Sequence, residues 1–194
     1  GTSGAGGKIF DQVLNVNLAY FDASTLPNGG STPQYTDRVI AHEMAHAVMG
    51  RTMNFAGLPS WFIEGTAEAL QGADERLAGD TAGGTNTATI LAAFNADDVS
   101  ASAGYSGGYA AVRYMHEEIK AAGGKGIKDI MGYLQKNSGS TLDQALTNAS
   151  KGAFSSQADF STQFNADAAA YVAGLDLSNA DTGAIGGFDA DGGN

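Results

Sequence analysis

A chain of 194 residues, 43% of them hydrophobic, is long enough for one domain with a buried core or for two small lobes around a cleft, and too short for more. A formal charge of −11 with only ten Lys plus Arg excludes the basic surface that nucleic acid or an anionic membrane requires, so neither is expected as a partner. The absence of cysteine excludes disulfides, thiolate metal sites and cysteine nucleophiles, and leaves the redox compartment open.

No apolar run reaches the roughly 18 to 20 residues of a membrane span, and the start, GTSGAGGK, lacks the apolar stretch of a signal peptide. Both ends are rich in Gly, Asp, Thr and Ser, as in a mature fragment or a domain within a longer protein, and 1–7 and 176–194 read as flexible or linker ends. Ile9 to Phe21, IFDQVLNVNLAYF, alternates apolar and polar residues from Leu14 onward, which predicts a strand. Ser24 to Gly30 is a turn by composition.

Pro33 opens a helix running to about Met53, on which Ile40, Met44, Ala47, Val48 and Arg51 fit the helical period. Pro59 marks a second start, with Ser60 to Gln71 helical and Gly72 beyond its end. Asp74 to Ser106 reads mostly as loop, with a helical turn or two at Ile90 to Phe94. The helical period returns from Gly107 to Ile119, and again at Ile127 to Lys136, Thr141 to Ala149 and Phe160 to Ala173. These elements predict an α+β fold in one domain, 1–194. A small N-terminal sheet and two helices make a subdomain at about 8–72, and a mostly helical lobe follows at about 73–175.

Chemistry concentrates on the two N-terminal helices. In VIAHEMAHAVMG, His42 and His46 are four apart and so share one helix face, from which both imidazoles can reach one ion at roughly 2.0 to 2.1 Å. Glu43 between them can reach a water beside that ion, the arrangement of two ligands plus a general base. A catalytic zinc takes three protein ligands, and Glu64 in WFIEGTAE, 18 positions after His46 on the next helix, is the expected third. Glu68, one turn beyond, either orients a ligand histidine through its other ring nitrogen or is a solvated carboxylate.

The pair HEMAH and WFIEGTAE resembles the gluzincin metallopeptidases, including bacterial collagenases and aminopeptidases, whose third zinc ligand is the Glu before Gly. The resemblance implies a thermolysin-like catalytic domain with Glu64 as ligand, Glu43 as base and Glu68 behind a ligand histidine. The segment YSGGYAAVRYM, Tyr105 to Met115, is similar to the pattern that follows the zinc helices in that class. By that register Tyr105 assists at the oxyanion, with Tyr109 as the alternative. LNVNLAYF, HEMAHAVMGRTMN, WFIEGTAE, GADER and the closing DTGAIGGFDADGG together resemble the flagellinolysins, metallopeptidase domains inserted in bacterial flagellins.

What these resemblances imply is a Zn²⁺ endopeptidase acting on peptide or protein substrates, extracellular on a bacterial flagellum, with flagellin subunits as partners. Two other readings stand beside it: an inactive metal-bearing structural insert of a surface protein, against which the intact Glu43 counts, and an adhesive domain in which HEMAH is fortuitous. Asp189 to Asn194, DADGGN, resembles the start of a Ca²⁺ loop without its later Glu, and suits an acidic tail equally well. His116, amid acidic neighbours, reads as a surface or helix-end residue. The predicted strand could line the cleft as an edge for an extended peptide.

Overall fold

A computed structural model describes residues 2–15, 30–31 and 34–177. These residues are mostly helical, and the expected α+β fold with an N-terminal sheet is not what they form. Extended structure is limited to two-residue pairs: β1 (Thr2–Ser3) antiparallel to β2 (Ile9–Phe10), and β3 (Gly30–Ser31) antiparallel to β4 (Gln34–Tyr35). Of the described part of the predicted strand only Ile9–Phe10 is extended; Asp11 turns to φ 52 and residues 11–15 lie exposed, with Val13 at 77%. An alternating pattern makes a strand only where one face finds a partner. The rest of that strand, Pro33 and the acidic tail Asp189 to Asn194 lie outside the described residues.

Eight helices follow: α1 (Thr36–Thr52), α2 (Ser60–Gln71), α3 (Asp74–Asp80), α4 (Ala88–Ala96), α5 (Ser102–Ala121), α6 (Ile127–Lys136), α7 (Leu142–Ala149) and α8 (Gln157–Ala173). The stretch read as loop, Asp74 to Ser106, therefore holds two whole helices and the start of a third. Helix α5 is buried nearly all round and packs against α2, α3, α4, α6 and α8, as expected of a central helix. One core runs from Met49 on α1 to Val172 on α8 and crosses the expected subdomain boundary at residue 72 without interruption.

Helices α2 and α5 approach until their backbones touch, which requires Gly65 and Gly108. A methyl group on Gly65 would fall on the Gly108 carbonyl, and one on Gly108 would meet the Trp61 carbonyl and lie 3.1 Å from the Gly65 Cα. Both clashes are with backbone, which has no rotamer to escape into. Gly108→Ala is therefore expected to destabilise the protein by about 2 to 3 kcal/mol, read as a lower midpoint in denaturant at unchanged slope. An unchanged midpoint would show that the two helices can separate at no cost.

Helix α2 is held at both ends by other elements. Its first turn lacks a side-chain cap of its own, and Asp97 supplies one, its Oδ1 accepting the Trp61 N–H at 2.8 Å. The Trp61 ring stacks on Phe160 at 5.4 Å and lies 4.9 Å from Phe94. At the other end the buried Arg38 of α1 donates to the carbonyls of Gln71 and Gly72 and pairs with Glu75 on α3. Glu64 lies between these two anchors.

His116 is not a surface residue. It is buried within α5, and its Nδ1 accepts the Ile127 N–H at 3.3 Å, tying α5 to the first turn of α6. Burial, helped by the nearby charges of Lys120, Lys128 and Arg113, holds the imidazole down at about 4. The neutral acceptor therefore contributes fully above about pH 6.5, and that contribution is lost as pH falls through 4.

Candidate metal centre

Helix α1 buries Arg38, His42, Ala45 and Met49, a spacing of 4, 3 and 4, and turns this stripe toward α2. Of the residues that fit the helical period in the sequence, Met44 is 51% exposed and Val48 47% exposed. The buried face is the one that carries the histidines. His46, one turn after His42, sets its ring edge-on to His42 with centroids 4.6 Å apart.

Three donor atoms from α1 and α2 converge. Nε2 of His42 lies 2.9 Å from Nε2 of His46, and Oε2 of Glu64 lies 3.1 Å from each. These three side chains could hold a metal ion. The two nitrogens of the His42 ring face different partners: Nδ1 lies 3.1 Å from Oε1 of Glu68, and Nε2 is directed at the triangle. Glu68 is 1% exposed, so it is not a solvated carboxylate. Its Oε1 also accepts from Nε2 of Gln71 at 2.7 Å, and its Oε2 forms an ion pair with Arg76 at 3.0 Å.

Burial pulls the His42 imidazole down, but the hydrogen bonds and charges of Glu64 and Glu68 outweigh it and push the group up to about 9. Burial likewise pushes the Glu64 carboxyl up, and the hydrogen bonds and charges of His42 and His46 outweigh that and bring it down to about 2. In the metal-free protein the His42 proton stabilises the fold fully below about pH 6.5 and is lost as pH rises through 9; the ionised Glu64 stabilises above about 4.5 and is lost as pH falls through 2. A metal must displace the His42 proton. Metal affinity is therefore expected to rise about tenfold per pH unit from about pH 7 to about 9 and then level off. Competition titrations against a chelator of known affinity check this, and an affinity flat across that range contradicts it.

Glu43 is exposed and is not one of the converging donors. With His46 and Glu64 it lines a cleft of about 610 Å³, whose apolar walls include Val13, Met44, Phe55 and Ile63. The first turn of α5 brings the Tyr105 ring to 6.3 Å from the His42 ring. Partial burial and the negative charges of Glu64 and Glu68 raise the Tyr105 phenol, which keeps its O–H in place as a donor. Tyr109, one turn on, is fully buried, and its hydroxyl donates to Asp74 at 2.7 Å. Of the two tyrosines, Tyr105 is the one beside the His42 and His46 pair.

Arg38 has no reading in the sequence, and Asp74 and Arg76 enter it only within GADER, without a role of their own. Arginine was one signal, since a chain with only ten Lys plus Arg that buries Arg38 must place it against carbonyls or carboxylates. No protein-family model matches the chain, and no curated protein or solved structure matches it either. Among the described residues no helix is long and apolar enough to cross a membrane.

Proposed function

We propose that this chain is a zinc-dependent endopeptidase of gluzincin type. The observation that carries the reading is the triangle of His42, His46 and Glu64 donors at 2.9 to 3.1 Å, with the His42 tautomer set by Glu68. In a tetrahedral site with ligands at 2.0 to 2.1 Å the donors lie about 3.3 Å apart, close to these separations. Two imidazoles and one carboxylate suit zinc better than magnesium or calcium, and three protein ligands leave a fourth position open.

When bound, zinc supplies a Lewis acid that polarises a carbonyl and lowers the pKa of a water. The chain's own residues do the rest. Glu43 takes the proton from the attacking water and passes it to the leaving amine as the C–N bond breaks. Tyr105 donates its O–H to the carbonyl oxygen as negative charge develops there. Glu68 holds the His42 ring in one tautomer and orientation. The cleft beside Glu43 accepts the peptide, with apolar walls for its side chains. Display on a bacterial flagellum, with flagellin subunits as partners, rests on the sequence resemblance alone.

The test is cleavage of a quenched-fluorescence peptide library by the purified chain. Expected are turnover, its loss on chelation and its return with about one equivalent of zinc. A chain that binds zinc and cleaves no member of the library is a metal-bearing structural insert, and the peptidase reading falls.

A further inference from the structure

Helix α3 begins with three consecutive charged residues, and each is tied to a different part of the site. Asp74 accepts from Tyr109 at 2.7 Å and from Arg113 at 3.0 Å, both on α5. Glu75 pairs with Arg38 on α1. Arg76, between α2 and α5, places its Nε 3.0 Å from Oε2 of Glu68 and its guanidinium carbon 5.2 Å from the centre of the Tyr105 ring. Because Asp74 and Glu75 are both fixed, the backbone that carries Arg76 is fixed as well. A planar cation can satisfy a carboxylate and cover an aromatic face at once, which an ammonium does poorly.

We propose that Arg76 is a positioning residue that sets two halves of the site in one register: the metal-ligand half through Glu68 and His42, and the phenol half through Tyr105. The proposal rests on the peptidase reading for its second half only. Glu68 is 1% exposed on its side chain; one of its oxygens lies 3.1 Å from Nδ1 of His42, and the other lies 3.0 Å from Nε of Arg76, so the arginine sits directly behind the carboxylate that orients the His42 ring. The same guanidinium limits where the Tyr105 ring can lie over the site. A purely structural arginine would neutralise Glu68 and do nothing more.

The test compares Arg76→Ala, Arg76→Lys and Arg76→Met, each confirmed folded by circular dichroism, in zinc-competition titrations and, at saturating zinc, in peptide cleavage. Arg76→Ala is expected to bind zinc about tenfold more weakly, the usual cost of losing a group behind a metal ligand. Arg76→Lys is expected to restore zinc affinity, since it returns the positive charge, but to keep a kcat about tenfold low at unchanged KM, since it does not cover the ring. If Arg76→Ala fails to fold, Arg76→Met, which keeps the stem, carries the zinc comparison. Zinc affinity equal to wild type in the uncharged variants overturns the proposal, whether or not the chain cleaves peptides. Full kcat in Arg76→Lys also overturns it. Wild-type zinc binding without any turnover refutes the peptidase reading instead, and the zinc titrations still decide the Glu68 half.

Discussion

Replacing Glu43 by glutamine is expected to abolish the proposed peptide cleavage and to leave metal binding intact. Glu43 is exposed on α1 and stands apart from the three converging donors, so glutamine, its isostere, removes a base without removing a ligand or a core contact. The proton of the attacking water then has no acceptor, and kcat falls by roughly 10³-fold with little change in KM. Steady-state kinetics beside a zinc assay on the same sample read both quantities. A variant that keeps a tenth or more of wild-type kcat would place the base elsewhere, and one that loses zinc would make Glu43 part of the metal site.

Glu64→Ala is expected to have the opposite signature: loss of metal binding, and with it loss of the proposed activity. The Glu64 carboxylate lies 3.1 Å from both histidine Nε2 atoms and is the one negative charge in the triangle. Two imidazoles alone leave the ion under-ligated, so zinc affinity falls further than the roughly 10- to 100-fold that changes behind the ligands cost. The fold is expected to survive, because α2 is held by the Trp61 aromatic cluster, by Asp97 at its start and by Arg38 at its end. Equilibrium zinc titration with circular dichroism checks both points. Zinc affinity within a factor of two or three of wild type would remove Glu64 from the site.

The convergence of His42, His46 and Glu64, a group that could hold a metal ion, was legible in the sequence because its geometry is local. His42 and His46 share a face by helix periodicity alone, and Glu64 belongs to the neighbouring helix across a short turn. Helix α6 was equally legible, since Ile127, Ile130 and Leu134 recur at helical spacing. Helix α3 was not. Its sequence, DERLAGD, buries only Asp74 and Leu77, and partners on α1 and α5 far along the chain hold its first turn. Periodicity cannot report contacts of that kind.

The period in α1 told of a helix but not of its buried face: Met44 and Val48 are exposed, while the buried stripe carries Arg38, His42, Ala45 and Met49. The N-terminal sheet differs: among the described residues, 11–15 are exposed and not extended, while most of the alternating stretch from Leu14 onward lies outside the described residues. Gly65 and Gly108 were visible as letters, but only the contact between α2 and α5 shows that each makes room for the other's backbone.

The most direct measurement is anomalous diffraction at the zinc edge from crystals of the chain grown with one equivalent of zinc. One strong peak within bonding distance of Nε2 of His42, Nε2 of His46 and a carboxylate oxygen of Glu64, with His42 Nδ1 still facing Glu68, is the predicted result. Zinc bound elsewhere, or a triangle that stays closed by hydrogen bonds with zinc in excess, would contradict it.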